Sequence, residues 1–238
     1  MIEIPIIYQD ESILVVDKPF GVVVNRSVTQ HEETIQDWVE KRLGVIWEMG
    51  EIGEIENQDF WERGGIVHRL DKDTSGVLVI AKTPEAFTEL QRQFKEREIE
   101  KEYIALVHGT PLQKEFVVNA PLGRNPRNRV KWAIVKDGRE SVTAFSVISQ
   151  FKNEYGDFSL IKCIPTTGRT HQIRVHLASM KLPIVGDILY AGRKRSKTDL
   201  EWCGRMFLHA TRLTLTNPAT RLRSTFVSEL PKELNKLL

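Results

Sequence analysis

His68-Arg69-Leu70-Asp71-Lys72-Asp73-Thr74-Ser75-Gly76 sets two carboxylates in a short polar string between the apolar runs Gly65-Ile66-Val67 and Val77-Leu78-Val79-Ile80-Ala81. Short apolar runs rich in β-branched residues read as buried strands, and Asp, Thr, Ser and Gly between them read as a tight bend. A bend held by strands is a rigid platform from which a side chain can be aimed into a cleft. For any one member of the string alone, turn capping is the better reading. The string as a whole reads as a site.

Working outward, Ile13-Leu14-Val15-Val16 is a strand stopped by Pro19 and Gly21. Ile35, Trp38, Val39 and Leu43 recur at helical spacing ahead of Gly44, which predicts a helix of about ten residues with a glycine stop. The acidic stretch from Glu48 to Arg63 has no period and reads as a surface loop. Thr83 caps a second helix that opens at Pro84, shows Phe87, Leu90, Gln91 and Phe94 on one face, and closes near Lys95 to Glu98. Strands are expected at Tyr103 to Val107, Phe116 to Asn119, Val142 to Ile148, Phe158 to Ile164 and Met206 to Leu215. Ile173, Leu177 and Met180 fall at i, i+4 and i+7, so a helix from near Thr170 buries them and carries Arg174 in its first turn. Strands with few helices between them argue against a parallel β/α repeat and predict an α+β fold with a mixed, mainly antiparallel sheet. One domain, residues 1–238, is expected.

The totals exclude several classes. At 238 residues, 41% hydrophobic and 28% charged, the chain buries a sizeable core. A net charge of +2 leaves nucleic-acid binding to local patches, of which Arg124, Arg127, Arg129 and Lys131 with Trp132, Arg193-Lys194-Arg195 with Lys197, and Arg221 with Arg223 are the candidates. Each alone reads rather as a solvated loop. Cys163 and Cys203 make neither a disulfide framework nor a zinc motif, which fits a reduced, cytoplasmic setting. Met1-Ile2-Glu3-Ile4-Pro5 opens no secretory leader, no run approaches a membrane span, and the glycosylation triplet Asn25-Arg26-Ser27 is therefore given no weight. Neither a G-x-x-x-x-G-K-[ST] nor a G-x-G-x-x-G loop occurs, so no nucleotide cofactor is expected. His171 and His176 stand at i and i+5, about 140° apart on a helix, unlike paired zinc ligands, so no metal is expected and these two and His68 read as structural.

The nine-residue string resembles the signature of pseudouridine synthases of the RluA type. Asp17-Lys18-Pro19-Phe20-Gly21 is similar to that family's first motif, and Lys101-Glu102-Tyr103-Ile104-Ala105-Leu106-Val107-His108-Gly109 to the segment carrying its tyrosine. Thr167-Gly168-Arg169-Thr170-His171-Gln172-Ile173-Arg174-Val175-His176-Leu177 resembles its third motif, followed by Pro183-Ile184-Val185-Gly186-Asp187 and Tyr190. The likeness runs from about Ile13 to Leu215, and Asn217-Pro218-Ala219 departs from the His-Pro of many relatives.

The resemblance implies one catalytic domain with a sheet in two halves and a cleft between them. It also implies isomerisation of a flipped uridine in ribosomal or transfer RNA. Asp71 matches the family's catalytic residue, and Asp73 is left a turn role. Arg174 matches the arginine set against that aspartate and keeps it ionised; a structural ion pair elsewhere is the other reading. Tyr103 would stack on the uracil, Leu177 would floor it, and Arg69 would fill the gap the nucleotide leaves. The first motif already begins at Asp17, so no small RNA-binding domain is expected ahead of it. A monomer is expected. The rivals are a catalytically silent RNA-binding protein of the same fold and a glycosidic-bond hydrolase, which ordinarily needs a second, well-placed carboxylate.

Overall fold

The computed structural model describes residues 2–27, 32–43 and 58–238. In chain order the elements are β1 (Ile6–Gln9), β2 (Ile13–Lys18), α1 (Ile35–Leu43), α2 (Gln58–Glu62), β3 (Ser75–Ala81), α3 (Pro84–Lys95), β4 (Glu100–His108), β5 (Glu115–Asn119), β6 (Leu122–Arg124) and β7 (Trp132–Ile134). They continue with β8 (Val142–Asn153), β9 (Gly156–Pro165), α4 (Gln172–Ser179), α5 (Arg193–Trp202), β10 (Leu208–Thr216), β11 (Arg223–Val227) and α6 (Lys232–Asn235). The chain divides into two compact units, Met1–Ile99 with Arg212–Ser228, and Glu100–Thr211 with Glu229–Leu238.

In the first unit β1, β2 and β3 pair antiparallel in that order, and β11 pairs antiparallel with the Arg212–Thr216 part of β10. Every residue of β3 is buried, as expected of an unbroken apolar run covered on both faces. Val77, Val79 and Ala81 join Ile13, Val15, Phe87, Leu90 and Leu213 in one core. Helix α3 is laid on it by its Thr83 cap, whose hydroxyl accepts from the Ala86 N–H at 3.2 Å, and by Pro84 at its first position.

In the second unit the order is β4-β9-β8-β5, all antiparallel, with β6 and β7 forming a separate hairpin. Ala105, Val107, Phe145, Ile161, Cys163, Ile173, Leu177 and Leu208 form one core, while Leu106, Phe158, Val185, Phe207 and Leu234 form another. Cys163 and Cys203 are free thiols, and burial pushes both up, Cys203 to about 11.

The α+β class and the mainly antiparallel pairing are as the pattern predicts. Several details differ. Gly65-Ile66-Val67 is no strand: Ile66 makes a single bridge to Ile80, because Gly64 and Gly65 turn the chain with φ of 57° and 73°. Gln58–Glu62 is helical where the composition reads as a loop, while the stretch 48–57 and the Gly44 stop lie outside the described residues. Gln93, not Gln91, is the buried amide of α3, and its side chain bonds the Thr216 carbonyl and N–H at 2.8 and 3.0 Å. Met180 is 49% exposed, because the helix that buries Ile173 and Leu177 ends at Ser179. Arg193-Lys194-Arg195 lies on α5 and not in a loop.

The approach to the motif bend fixes one glycine tightly. At Gly65 a methyl group would meet the Ala81 carbonyl oxygen at 2.1 Å, and φ is positive as well. Gly65→Ala is therefore expected to lower the unfolding free energy by about 2 kcal/mol or more in urea titration. An unchanged midpoint would show that the close approach of Gly65 to Ala81 opens at little cost.

Candidate active site

In the first unit the motif string is a turn fastened at both ends. Thr74 N–H donates to the Asp71 carbonyl at 3.1 Å, which places Lys72 and Asp73 at the corner and suits the turn role left to Asp73. Leu70, Thr74 and Ser75 are buried around it, Asp71 is half-buried, and Arg69 and Lys72 are exposed. Beneath the turn lies Lys18, 0% exposed, whose Nζ donates to the carbonyls of Pro19, Val22 and Lys72 at 2.7, 2.8 and 3.2 Å. Gly21 N–H adds a second bond to the Lys72 carbonyl at 2.9 Å. The residue after Asp71 is thus tied to the turn that ends β2. His68 accepts from Val79 N–H at 3.0 Å through Nε2 and stacks on Phe94, the structural histidine expected of it.

In the second unit the third motif opens α4. Buried Gln172 satisfies its whole amide: Nε2 donates to the Val142 carbonyl and Thr143 Oγ1, both at 3.0 Å, and Oε1 accepts from Thr167 Oγ1 at 2.7 Å and Arg169 N–H at 3.0 Å. That pins the start of the helix. Arg174, in its first turn, is 3% exposed and forks onto Asp187, Nε to Oδ2 and Nη2 to Oδ1, both at 2.8 Å. Its guanidinium carbon lies 5.2 Å from the centre of the Tyr190 ring. A bidentate, buried fork holds a guanidinium in one orientation. His176 bonds Thr143 Oγ1 and the Ala120 carbonyl, and burial moves its imidazole toward the neutral form.

Tyr103 lies half-buried on β4 opposite Cys163 and packs on the core cluster that contains Leu177, so the structure brings these two into one apolar patch. Lys101, two residues earlier and on the same face of the strand, sends Nζ to the Thr167 carbonyl at 3.5 Å. Arg124 lies 4.8 Å over the Trp132 ring on the β6–β7 hairpin, with Arg127 and Arg129 exposed at its tip and Lys131 half-buried. Arg193, Lys194 and Arg195 are exposed on α5, whose buried Asp199 accepts from Gly186 N–H and bonds His108 Nε2.

Asp187 holds Arg174 and Gln172 holds the start of α4, and the motifs containing them assign neither a role. Asp187 has a signal, a lone acid after Val185-Gly186, but its fork with Arg174 is a tertiary contact. Gln172 has none beyond its place in the motif.

The chain also matches known proteins. Residues 12–179 fit the model of the RNA pseudouridylate synthase family, and the chain belongs to that family. It is thus an enzyme that isomerises uridine in RNA. It is 38% identical to the ribosomal large subunit pseudouridine synthase D of Pseudomonas aeruginosa, over 100% of this chain and 71% of that one. To the enzyme of the same name from Nitrosomonas europaea it is 35% identical, over 100% of this chain and 65% of that one. Its structure is similar to human RNA pseudouridylate synthase domain containing 1, with a TM-score of 0.75 at 25% identity, covering 96% of this chain and 84% of that one. Among the described residues no helix is long and apolar enough to cross a membrane.

Lys101 gives a pH signature. Burial, with a smaller repulsion from Arg169, pushes its ammonium down to about 8 from an ordinary 10.5. Between those values the unfolded chain holds the extra proton, so stability rises with pH across that window and levels off above it. Lys101→Met is expected to abolish that rise and to be more stable than the wild type at neutral pH, read as urea midpoints against pH. A wild-type curve that is flat over the window would show the ammonium to be well solvated.

Proposed function

We propose that this enzyme converts a uridine of large-subunit ribosomal RNA to pseudouridine in the cytoplasm, the two units working as one catalytic domain and the chain as a monomer. The observation that carries the target is the likeness, over 100% of this chain and 71% of the other, to an enzyme named for the large ribosomal subunit. Isomerisation breaks the bond from base nitrogen 1 to ribose carbon 1′, turns the uracil, and rejoins it through carbon 5. No atom is lost, so the site must hold the freed base and exclude water.

Asp71 is the reacting carboxylate, either adding to the sugar or taking the ribose 2′ proton. Its turn, tied down through Lys72, suits a group that must keep its place while the base moves. Tyr103 offers a flat face to the extruded uracil and Leu177 the apolar floor beneath. Arg174, oriented by Asp187, supplies fixed positive charge to substrate binding. Exposed Arg69 fills the vacancy left by the flipped nucleotide. No metal or nucleotide cofactor takes part. Arg124, Arg127, Arg129 and Lys131 on the hairpin and Arg193, Lys194 and Arg195 on α5 track phosphates.

Asp71→Asn is expected to abolish tritium release from uracil-labelled RNA while binding RNA and unfolding like the wild type, whereas Asp73→Asn retains most turnover. Turnover by the first variant would remove the assignment. Mapping pseudouridine in ribosomal and transfer RNA from cells with and without the protein identifies the target, and release of free uracil would favour hydrolysis. Replacing Arg193, Lys194 and Arg195 together by Ala is expected to weaken RNA binding and to reduce the slope of log affinity against log salt by about one for each phosphate no longer gripped. An unchanged slope would show that cluster to be plain surface.

A further inference from the structure

The basic hairpin β6–β7 is fastened to the helix that carries Arg174, and Tyr190 stands at the join. Trp132, the first residue of β7, donates its N–H to the Tyr190 hydroxyl oxygen at 2.9 Å, and that oxygen lies 2.9 Å from His171 Nδ1. A phenol has one proton. The oxygen accepts from the Trp132 amide and pairs with His171 Nδ1, and the imidazole tautomer sets which of those two atoms donates. His171 sits at φ 57°, ψ 20°, immediately before α4, a left-handed conformation costly for a residue with a side chain. The hydroxyl therefore joins the hairpin to the strained residue that starts the arginine's helix.

The ring makes a second set of contacts. The Arg174 guanidinium carbon lies 5.2 Å and the Lys131 ammonium 5.9 Å from its centre, both within cation–π range. The backbone closes the loop: Asp187 Oδ1 accepts the Leu189 and Tyr190 N–H groups at 2.9 and 3.1 Å while also taking Arg174 Nη2. Arg174 and Tyr190 thus share one carboxylate and lie against each other.

We propose that Tyr190 is a positioning residue that makes the RNA-gripping hairpin and Arg174 a single assembly, its hydroxyl seating the hairpin and its ring seating the guanidinium. The two functions sit on different atoms, so they separate on substitution. This deepens the reading above, since it takes the hairpin to hold RNA and Arg174 to serve the substrate.

The test compares Tyr190→Phe and Tyr190→Leu in the full chain, by steady-state tritium release on a large-subunit ribosomal RNA fragment and by hydrogen exchange of the hairpin amides. Tyr190→Phe loses both hydrogen bonds and keeps the ring, so KM for RNA is expected to rise about fivefold to tenfold with kcat within about twofold of wild type, and Leu122–Ile134 to exchange faster. Tyr190→Leu also loses the ring, and kcat is expected to fall about tenfold further as the guanidinium loses its rest. A Tyr190→Phe protein equal to wild type in KM and hairpin exchange overturns the proposal. So does one that loses kcat as heavily as Tyr190→Leu, since the two functions would not then be separate. If the wild type fails to act on the ribosomal fragment, the target assignment fails, and the exchange comparison still decides whether the hydroxyl holds the hairpin.

Discussion

A buried ammonium sets the motif turn. Lys18 has no exposed surface, and taking a charge out of water costs several kcal/mol unless its donors are met. They are met by main-chain carbonyls of Pro19, Val22 and Lys72, two from the turn that follows β2 and one from the residue beside Asp71. Any drift of the motif turn would take an acceptor away from a charge that water cannot reach. The β2–β3 register helps, since Lys18 lies opposite Gly76, where no side chain competes for the space. Rigidity at Asp71 thus follows from an electrostatic penalty on every displaced alternative.

The second unit reaches the same end with different chemistry. There the helix start is pinned by a neutral amide that makes four bonds, and the arginine by a carboxylate fork. Buried polar groups with every partner in place are specific in a way that apolar packing is not, because a half-satisfied network is worse than none. The aromatic face of Tyr190 and the left-handed His171 are tolerated because that network surrounds them.

The sequence exposed the fold wherever burial alone decides. The unbroken Val77 to Ala81 run and the strand from Tyr103 stand where the pattern puts them, because apolar periodicity is a local property. It failed where tertiary bonding overrides composition. Gln93 looks like a surface residue and is buried because its amide meets the backbone of Thr216. Helix α5 shows no apolar period, since the residues it buries are Ser196 and Asp199. Asp71, Arg174, Tyr103 and Leu177 are proposed as site residues through their motifs alone. The partnership of Asp187 with Arg174 was not legible in the sequence, and a fully buried lysine runs against what that residue type ordinarily does.

The two cysteines carry a practical consequence. Both thiols are held in their protonated form by the packing around them, and neither meets solvent to any useful extent. Sulfur here is filler, indifferent to mild oxidants and to alkylating reagents. A cysteine introduced on the rim of the basic hairpin would therefore take a maleimide dye or spin label without any prior deletion of the native pair, and the motion of that hairpin becomes directly observable in an otherwise unaltered chain.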